Sequence, residues 1–95
     1  MPKGYWIARI DVKDPEIYQS YIANATPAYQ KYGAKFLVRG GKCEAVEGPG
    51  RSRNVVIEFD SYEQAMACYN SPEYQAAAEF RRKASLGEIL VVEGA

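Results

Sequence analysis

No histidine occurs anywhere in the 95 residues. Its absence removes Ser-His-Asp and Cys-His nucleophile pairs, histidine-ligated zinc and proximal-histidine haem. Any chemistry therefore rests on carboxylates, tyrosines, arginines, lysines or a bound organic molecule. Cysteine is nearly as scarce: Cys43 and Cys68 stand alone, with no C-x-x-C spacing. Both are expected as reduced thiols in small apolar slots rather than in a disulfide or a zinc site. An excess of charge is missing too, since twelve Lys and Arg balance twelve Asp and Glu. No basic field is offered to nucleic acid or to an anionic membrane. No stretch approaches the roughly 20 apolar residues of a membrane span, and "MPKGYWIARIDV" lacks the apolar run of a signal peptide. A cytoplasmic location is the expectation. Repeats, low-complexity tracts and linkers are absent, and residues 1–95 fit a single domain.

What is present alternates in period. "GYWIARIDV" sets Trp6, Ala8, Ile10 and Val12 against Tyr5, Ile7, Arg9 and Asp11, a strand with one fully apolar face. "DPEIYQSYIANATPAYQKYG" opens with Asp14 as N-cap and Pro15 at the first helical position, and closes at Gly33. Its inward stripe is Ile17, Tyr18, Tyr21, Ile22, Ala25, Ala28, Tyr29 and Tyr32. Pro27 removes one helical hydrogen bond, which predicts a kink near Ala23 or a break with Thr26 capping a second helix. "AKFLVRGGKCEAVEG" reads as a strand bent at a Gly40-Gly41 bulge, and "GPGRSR" as a turn. "RNVVIEFD" is a further strand with Arg53, Val55, Ile57 and Phe59 on one face. "SYEQAMACYN" carries a Ser61/Gln64 capping box and an inner face of Tyr62, Ala65, Met66 and Tyr69. "SPEYQAAAEFRRKAS" follows as a second helical piece turned at Ser71-Pro72, with Tyr74, Ala77, Ala78, Phe80 and Ala84 on its apolar arc. Arg81 falls inside that arc. "GEILVVEGA" is the last strand.

The order β-α-β-β-α-β is that of an α+β, ferredoxin-like domain, a four-stranded antiparallel sheet with its helices on one face. The opposite face, carrying Ile7, Leu37, Val56 and Ile89 or Val91 among charges, would leave an apolar strip in water, so a homodimer joined through the sheet faces is expected. The stretches "DPEIYQSY", "FLVRGG", Glu47-Gly48, "RNVVIEFDSYEQAMACYNSPEYQ" and the following Arg81 resemble the family known as domain of unknown function 1330, over nearly the whole chain. Gly33-Ala34 stands where that family commonly has two glycines, and Cys68 where it often has an aromatic. The resemblance implies a dimeric α+β barrel built from ferredoxin-like protomers, and it implies no established reaction. The wider superfamily includes cofactor-free monooxygenases, lactone isomerases and haem enzymes, so the fold does not choose a function.

Three constellations are candidates for chemistry. The first is Arg81 with Arg53 and Arg39; Arg81 and Arg53 point toward the helix-covered side, and the direction of Arg39 depends on the Gly-Gly bulge. A buried unpaired guanidinium is costly, so each needs a carboxylate. Either Glu47 or Glu58 pairs internally with Arg81 or Arg39, or these bidentate donors hold the carboxylate of a small acid. The second is the set of inward tyrosines, Tyr18, Tyr21, Tyr29, Tyr32, Tyr69 and Tyr74. Their phenols suit a ring-bearing or oxygenated ligand, and one beside Arg81, with Tyr74 the best placed, is expected to have a lowered pKa and to serve as acid or base. The third, Asn24 with Asp14 and Asp60, reads as caps and turns; no carboxylate pair has metal-site spacing, and no glycine loop opens a phosphate-binding helix. The ligand-binding candidates are thus Arg81, Tyr74, Arg53, Arg39, Tyr21, Tyr32 and Glu47, with no metal and no cofactor. Three functions follow: a binding module for a small organic acid, a cofactor-independent isomerase or monooxygenase using Tyr74 or Glu58, or a dimer without a ligand.

Overall fold

The structure is a computed structural model that describes residues 2–95. Strand β1 (Gly4–Val12) leads to helix α1 (Pro15–Lys31), then β2 (Lys35–Arg39), β3 (Arg53–Phe59), α2 (Tyr62–Asn70), α3 (Pro72–Ala84) and β4 (Ser85–Glu93). The strands form one sheet in the order β2-β3-β1-β4, every neighbouring pair antiparallel. This is the ferredoxin-like α+β arrangement, with the second helical segment divided in two.

Each helix start is made by the side chain that the sequence offers. Asp14 accepts from the Ile17 N–H at 3.1 Å, and Ser61 accepts from the Gln64 N–H at 3.0 Å. The Gln64 amide does not return to Ser61 to complete the box; it donates to the Tyr32 carbonyl at 3.0 Å and ties α2 to the end of α1. Ser71 ends α2 and begins α3 at once. Its hydroxyl donates to the Cys68 carbonyl at 2.7 Å and accepts from the Tyr74 N–H at 3.2 Å, inside the core. Helix α1 ends at Tyr32, with Gly33 at φ +69° turning the chain.

Between sheet and helices lie Trp6, Ile10, Ile57, Phe59 and Tyr74, all nearly or wholly buried. Ala77 and Ala78 on α3, with Ala25 and Ala28 on α1, have no exposure, and α1 runs against α3 rather than against any strand. The depth left beneath α1 is filled by tyrosine rings.

Several expectations are corrected. Helix α1 is continuous through Pro27: proline sits on the exposed face, and the Thr26 hydroxyl bonds back to the Ile22 carbonyl at 2.9 Å instead of capping a new helix. The second strand does not resume after Gly40-Gly41. Gly40, at φ +67°, turns the chain away into a loop over residues 40–52, whose glycines and Pro49 do not suit a ladder, and the bulge falls at Leu37 instead. Cys43 lies in that loop and is exposed, while Cys68 is buried as expected. Phe80 is exposed at the rim, because α3 turns the arc centred on Tyr74, Ala77, Ala78 and Arg81 inward. Ile89 and Val91 stand opposite Ala8 and Trp6 and pack toward the core; on the outer face β4 instead presents Leu86, Leu90 and Val92.

Candidate functional site

The first turn of α3 carries Tyr74, fully buried under α1 and set by the Ser71 cap. Its ring meets the edge of Trp6, centroids 4.8 Å apart, and the Trp6 indole N–H is held by the Ala65 carbonyl at 2.9 Å. From α1, Tyr21 and Tyr29 reach the same place, being eight residues apart and so on one stripe. The Tyr21 hydroxyl lies 3.0 Å from that of Tyr29 and 2.9 Å from that of Tyr74, forming a chain of three phenols with Tyr21 in the middle. Two helical turns beyond Tyr74, Arg81 brings its guanidinium beside this chain.

Burial pushes the Tyr21 and Tyr74 phenols well above the ordinary range, and Tyr29 with them. Arg81 pulls Tyr74 the other way without overcoming burial. The expected lowering of the Tyr74 pKa is therefore reversed, and all three phenols are neutral hydroxyls at physiological pH. Such a group donates or accepts hydrogen bonds and does not act as a base. Desolvation works against the Arg81 charge, but Tyr74 and Tyr21, where they ionise at high pH, favour it more strongly and its pKa is raised. Arg81 is a half-buried permanent cation.

It has no carboxylate. Among the described residues neither Arg81, Arg53 nor Arg39 makes an ion pair, and the buried Nε of Arg81 and that of Arg53 have no hydrogen-bond partner. The internal pairing considered for Glu47 and Glu58 does not form. Glu58 faces the other side of the sheet and accepts from the Tyr5 hydroxyl at 3.2 Å, while Glu47 is in the exposed 40–52 loop.

The remaining candidates separate. Arg53 lies over the Tyr18 ring, 5.6 Å from its centroid, and Tyr18 packs on Tyr21 at 5.2 Å, so Arg53 joins the cluster from the sheet side. Gly40 makes room for it: a Cβ there would stand 2.5 Å from the Arg53 Nη1. Arg39 is exposed and stacks on Phe36 at 4.0 Å, at the margin. Tyr32 caps α1 beneath the Lys31 ammonium, apart from the phenol chain. Glu47 lines an open cleft of about 330 Å³ on the outer side of the sheet with Arg9, Cys43, Pro49, Arg51 and Asn54. Tyr29 and Tyr18, inward tyrosines outside the ligand-binding candidates, belong to the cluster as well. Their places on the apolar stripe of α1 were the available signal. The described residues hold no cluster of metal-ligating side chains and no helix long and apolar enough to cross a membrane.

Comparison with solved structures shows the same fold at low sequence identity. A protein of unknown function from Rhodopseudomonas palustris, RPA0582, superposes with TM-score 0.79 at 15% identity, over 99% of this chain and 83% of that one. SnoaB, a cofactor-independent oxygenase from Streptomyces nogalater, gives 0.66 at 13% identity over 100% and 95% of the two chains. A dimeric ferredoxin-like protein of unknown function from Thermobifida fusca gives 0.57 at 18%, over 99% and 91%. Comparison with curated protein sequences finds no match. The sequence pattern of the family described as domain of unknown function DUF1330 matches residues 3–95, and the chain belongs to that family.

Proposed function

We propose that the protein is a cytoplasmic homodimer, joined through the outer faces of its sheets, that binds a small organic acid at Arg81 beside the phenols of Tyr21, Tyr29 and Tyr74. One observation carries this reading: Arg81, a half-buried guanidinium that stays charged at any physiological pH, has a buried Nε–H with no partner among the described residues. Leaving a cation buried and unpaired costs several kcal/mol, and a carboxylate placed against a guanidinium recovers it through two parallel hydrogen bonds. The phenols add neutral hydroxyls able to bond a second oxygen of the ligand. Ile7, Val56, Leu90 and Val92 supply the apolar outer face for the dimer.

The test is a thermal-shift screen against aliphatic and aromatic carboxylic acids, run in parallel on Arg81→Met. A ligand at 100 times its Kd stabilises by about 2.7 kcal/mol, on the order of ten degrees for a domain of this size. An acid that shifts the wild type and not Arg81→Met supports the site. If no acid shifts the wild type and Arg81→Met melts lower, Arg81 is an internal strut and the reading falls.

A second reading, turnover without a cofactor, is favoured by the likeness to SnoaB. The protonated phenols and Arg81 suit an oxyanion developing on a bound substrate. Oxygen consumption or isomer formation with an acid found in the screen separates an enzyme from a binding module.

A further inference from the structure

The second buried orphan donor belongs to Arg53. Its buried Nε has no hydrogen-bond partner, it makes no ion pair among the described residues, and its head lies over the Tyr18 ring, 5.6 Å from the centroid. Beginning from the other side of the domain, at the first residue of β3 opposite Ile10, it reaches the same tyrosine string that Arg81 flanks from α3. The string is continuous: Tyr18 packs on Tyr21, the Tyr21 hydroxyl meets Tyr74, and Arg81 stands beside Tyr74. Both arginines belong to one end of the helix-covered layer, since Ile10 and Val12 of β1 neighbour Arg53 and Ser85 respectively. Two permanent cations thus border one cluster of phenols, and among the described residues neither has an ion-pair partner.

Like charges bordering one cluster repel, and each forgoes the hydrogen bond its buried Nε–H would make to water. A ligand with a single carboxylate relieves one of them. We propose that the ligand of this site carries two acidic groups, one held by Arg81 and the other by Arg53, with its carbon skeleton spanning the end of the layer at which both guanidiniums stand. The ligand class is therefore a small dicarboxylic acid, aliphatic or aromatic, rather than a monoacid. Tyr18 has a direct part in this: its ring lies beneath the Arg53 guanidinium, and Lys in place of Arg would not offer the same planar fork to the ligand. Gly40 has a part as well, because the space a side chain would take there is the space the guanidinium occupies.

This inference rests on the acid-binding reading above, and the experiment keeps the two apart. Isothermal titration of the full chain is run with matched acids of equal skeleton length: butyrate, valerate, hexanoate and heptanoate against succinate, glutarate, adipate and pimelate, with benzoate against isophthalate and terephthalate. At least one diacid is expected to bind wild type more tightly than its monoacid by about tenfold or more, the scale of one charge-assisted hydrogen-bonded contact. Arg53→Gln is expected to erase that preference, lowering diacid affinity more than monoacid affinity; Arg81→Met is expected to abolish both. The wild-type comparison needs no variant, so a misfolded Arg53→Gln leaves it intact, and Arg53→Lys gives a second, milder perturbation that should narrow the preference. Monoacids and diacids binding wild type equally, with Arg81→Met still losing both, would overturn the second anchor and leave the acid site standing. No binding by any member of either series overturns both.

Discussion

Arg81 and the phenols show what a single residue can and cannot announce. That a guanidinium lies within an apolar arc is a matter of helical period, and the structure places it there. Whether that guanidinium finds a carboxylate depends on where the 40–52 loop runs, and the loop leaves Glu47 on the far side of the sheet. The phenol pKa direction differs from the sequence expectation for a related reason: proximity of a cation is visible in the spacing, but the depth of burial that outweighs it is not. Burial makes a pH prediction. An unfolded tyrosine ionises near 10, whereas Tyr21, Tyr29 and Tyr74 keep their protons well above that in the folded chain. Above pH 10 the unfolded chain binds fewer protons than the folded one, so stability falls as pH rises, by about 1.4 kcal/mol per pH unit for each group. Spectrophotometric titration should find three of the eight tyrosines ionising only as the protein unfolds. Smooth ionisation of all eight with the fold intact would refute it. Tyr21→Phe, which deprives both neighbouring hydroxyls of their shared partner, should cost about 1–3 kcal/mol and lower Tm on the order of ten degrees; an unchanged Tm would mean that water replaces the chain.

At the scale of elements, caps and periods were legible and their interruptions were not. Asp14, Ser61 and Ser71 start helices where their hydroxyl or carboxylate can meet a free N–H, a local matter. Pro27 costs α1 one hydrogen bond, but packing of Ala25 and Ala28 against α3 holds the helix in one piece, a contact no local rule supplies. Gly87 was passed over inside an apolar strand. It stands opposite Ile10, where an added Cβ would be 2.2 Å from the Arg9 carbonyl oxygen and 2.9 Å from the Ile10 Cα. Those are backbone neighbours on a central strand that cannot rotate aside. Gly87→Ala should accordingly destabilise by about 1–3 kcal/mol in urea unfolding, with part of the β1–β4 ladder becoming fast in hydrogen exchange. Exchange no faster than wild type along β1 would show that the ladder absorbs the methyl by a small shift.

At the scale of the whole molecule, one sheet face is covered by helices and the other carries Leu86, Leu90 and Val92 in water along an edge strand and beside Ile7 and Val56. Arg51 clasps Asp11 and Glu88 on that same face, so its polar groups are already paired with one another at its border. In the dimer reading this patch is the interface, and sedimentation equilibrium should return twice the 10.6 kDa chain mass. Leu90→Glu puts a charge at the centre of the strip and should shift the protein to monomer with its far-UV spectrum preserved. A wild type that sediments as monomer at micromolar concentration would remove the sheet-face dimer without touching the acid site.

The order of strands and helices, the two faces of β1 and β3, the caps of the helices and the inward aim of Arg81 were all determined by the sequence alone, because each follows from a period or a contact within a few residues. The union of Tyr21, Tyr29 and Tyr74 into one hydroxyl chain, the approach of Arg53 to the same cluster, the separation of Glu47 from both arginines and the lack of any carboxylate for either were decided only by tertiary structure. Apart from the Tyr21–Tyr29 step within α1, these depend on contacts between residues far apart in the chain, 53 positions for Tyr21 and Tyr74, set by how α1 stands against α3 and where the loop after β2 turns, and no local preference carries that information.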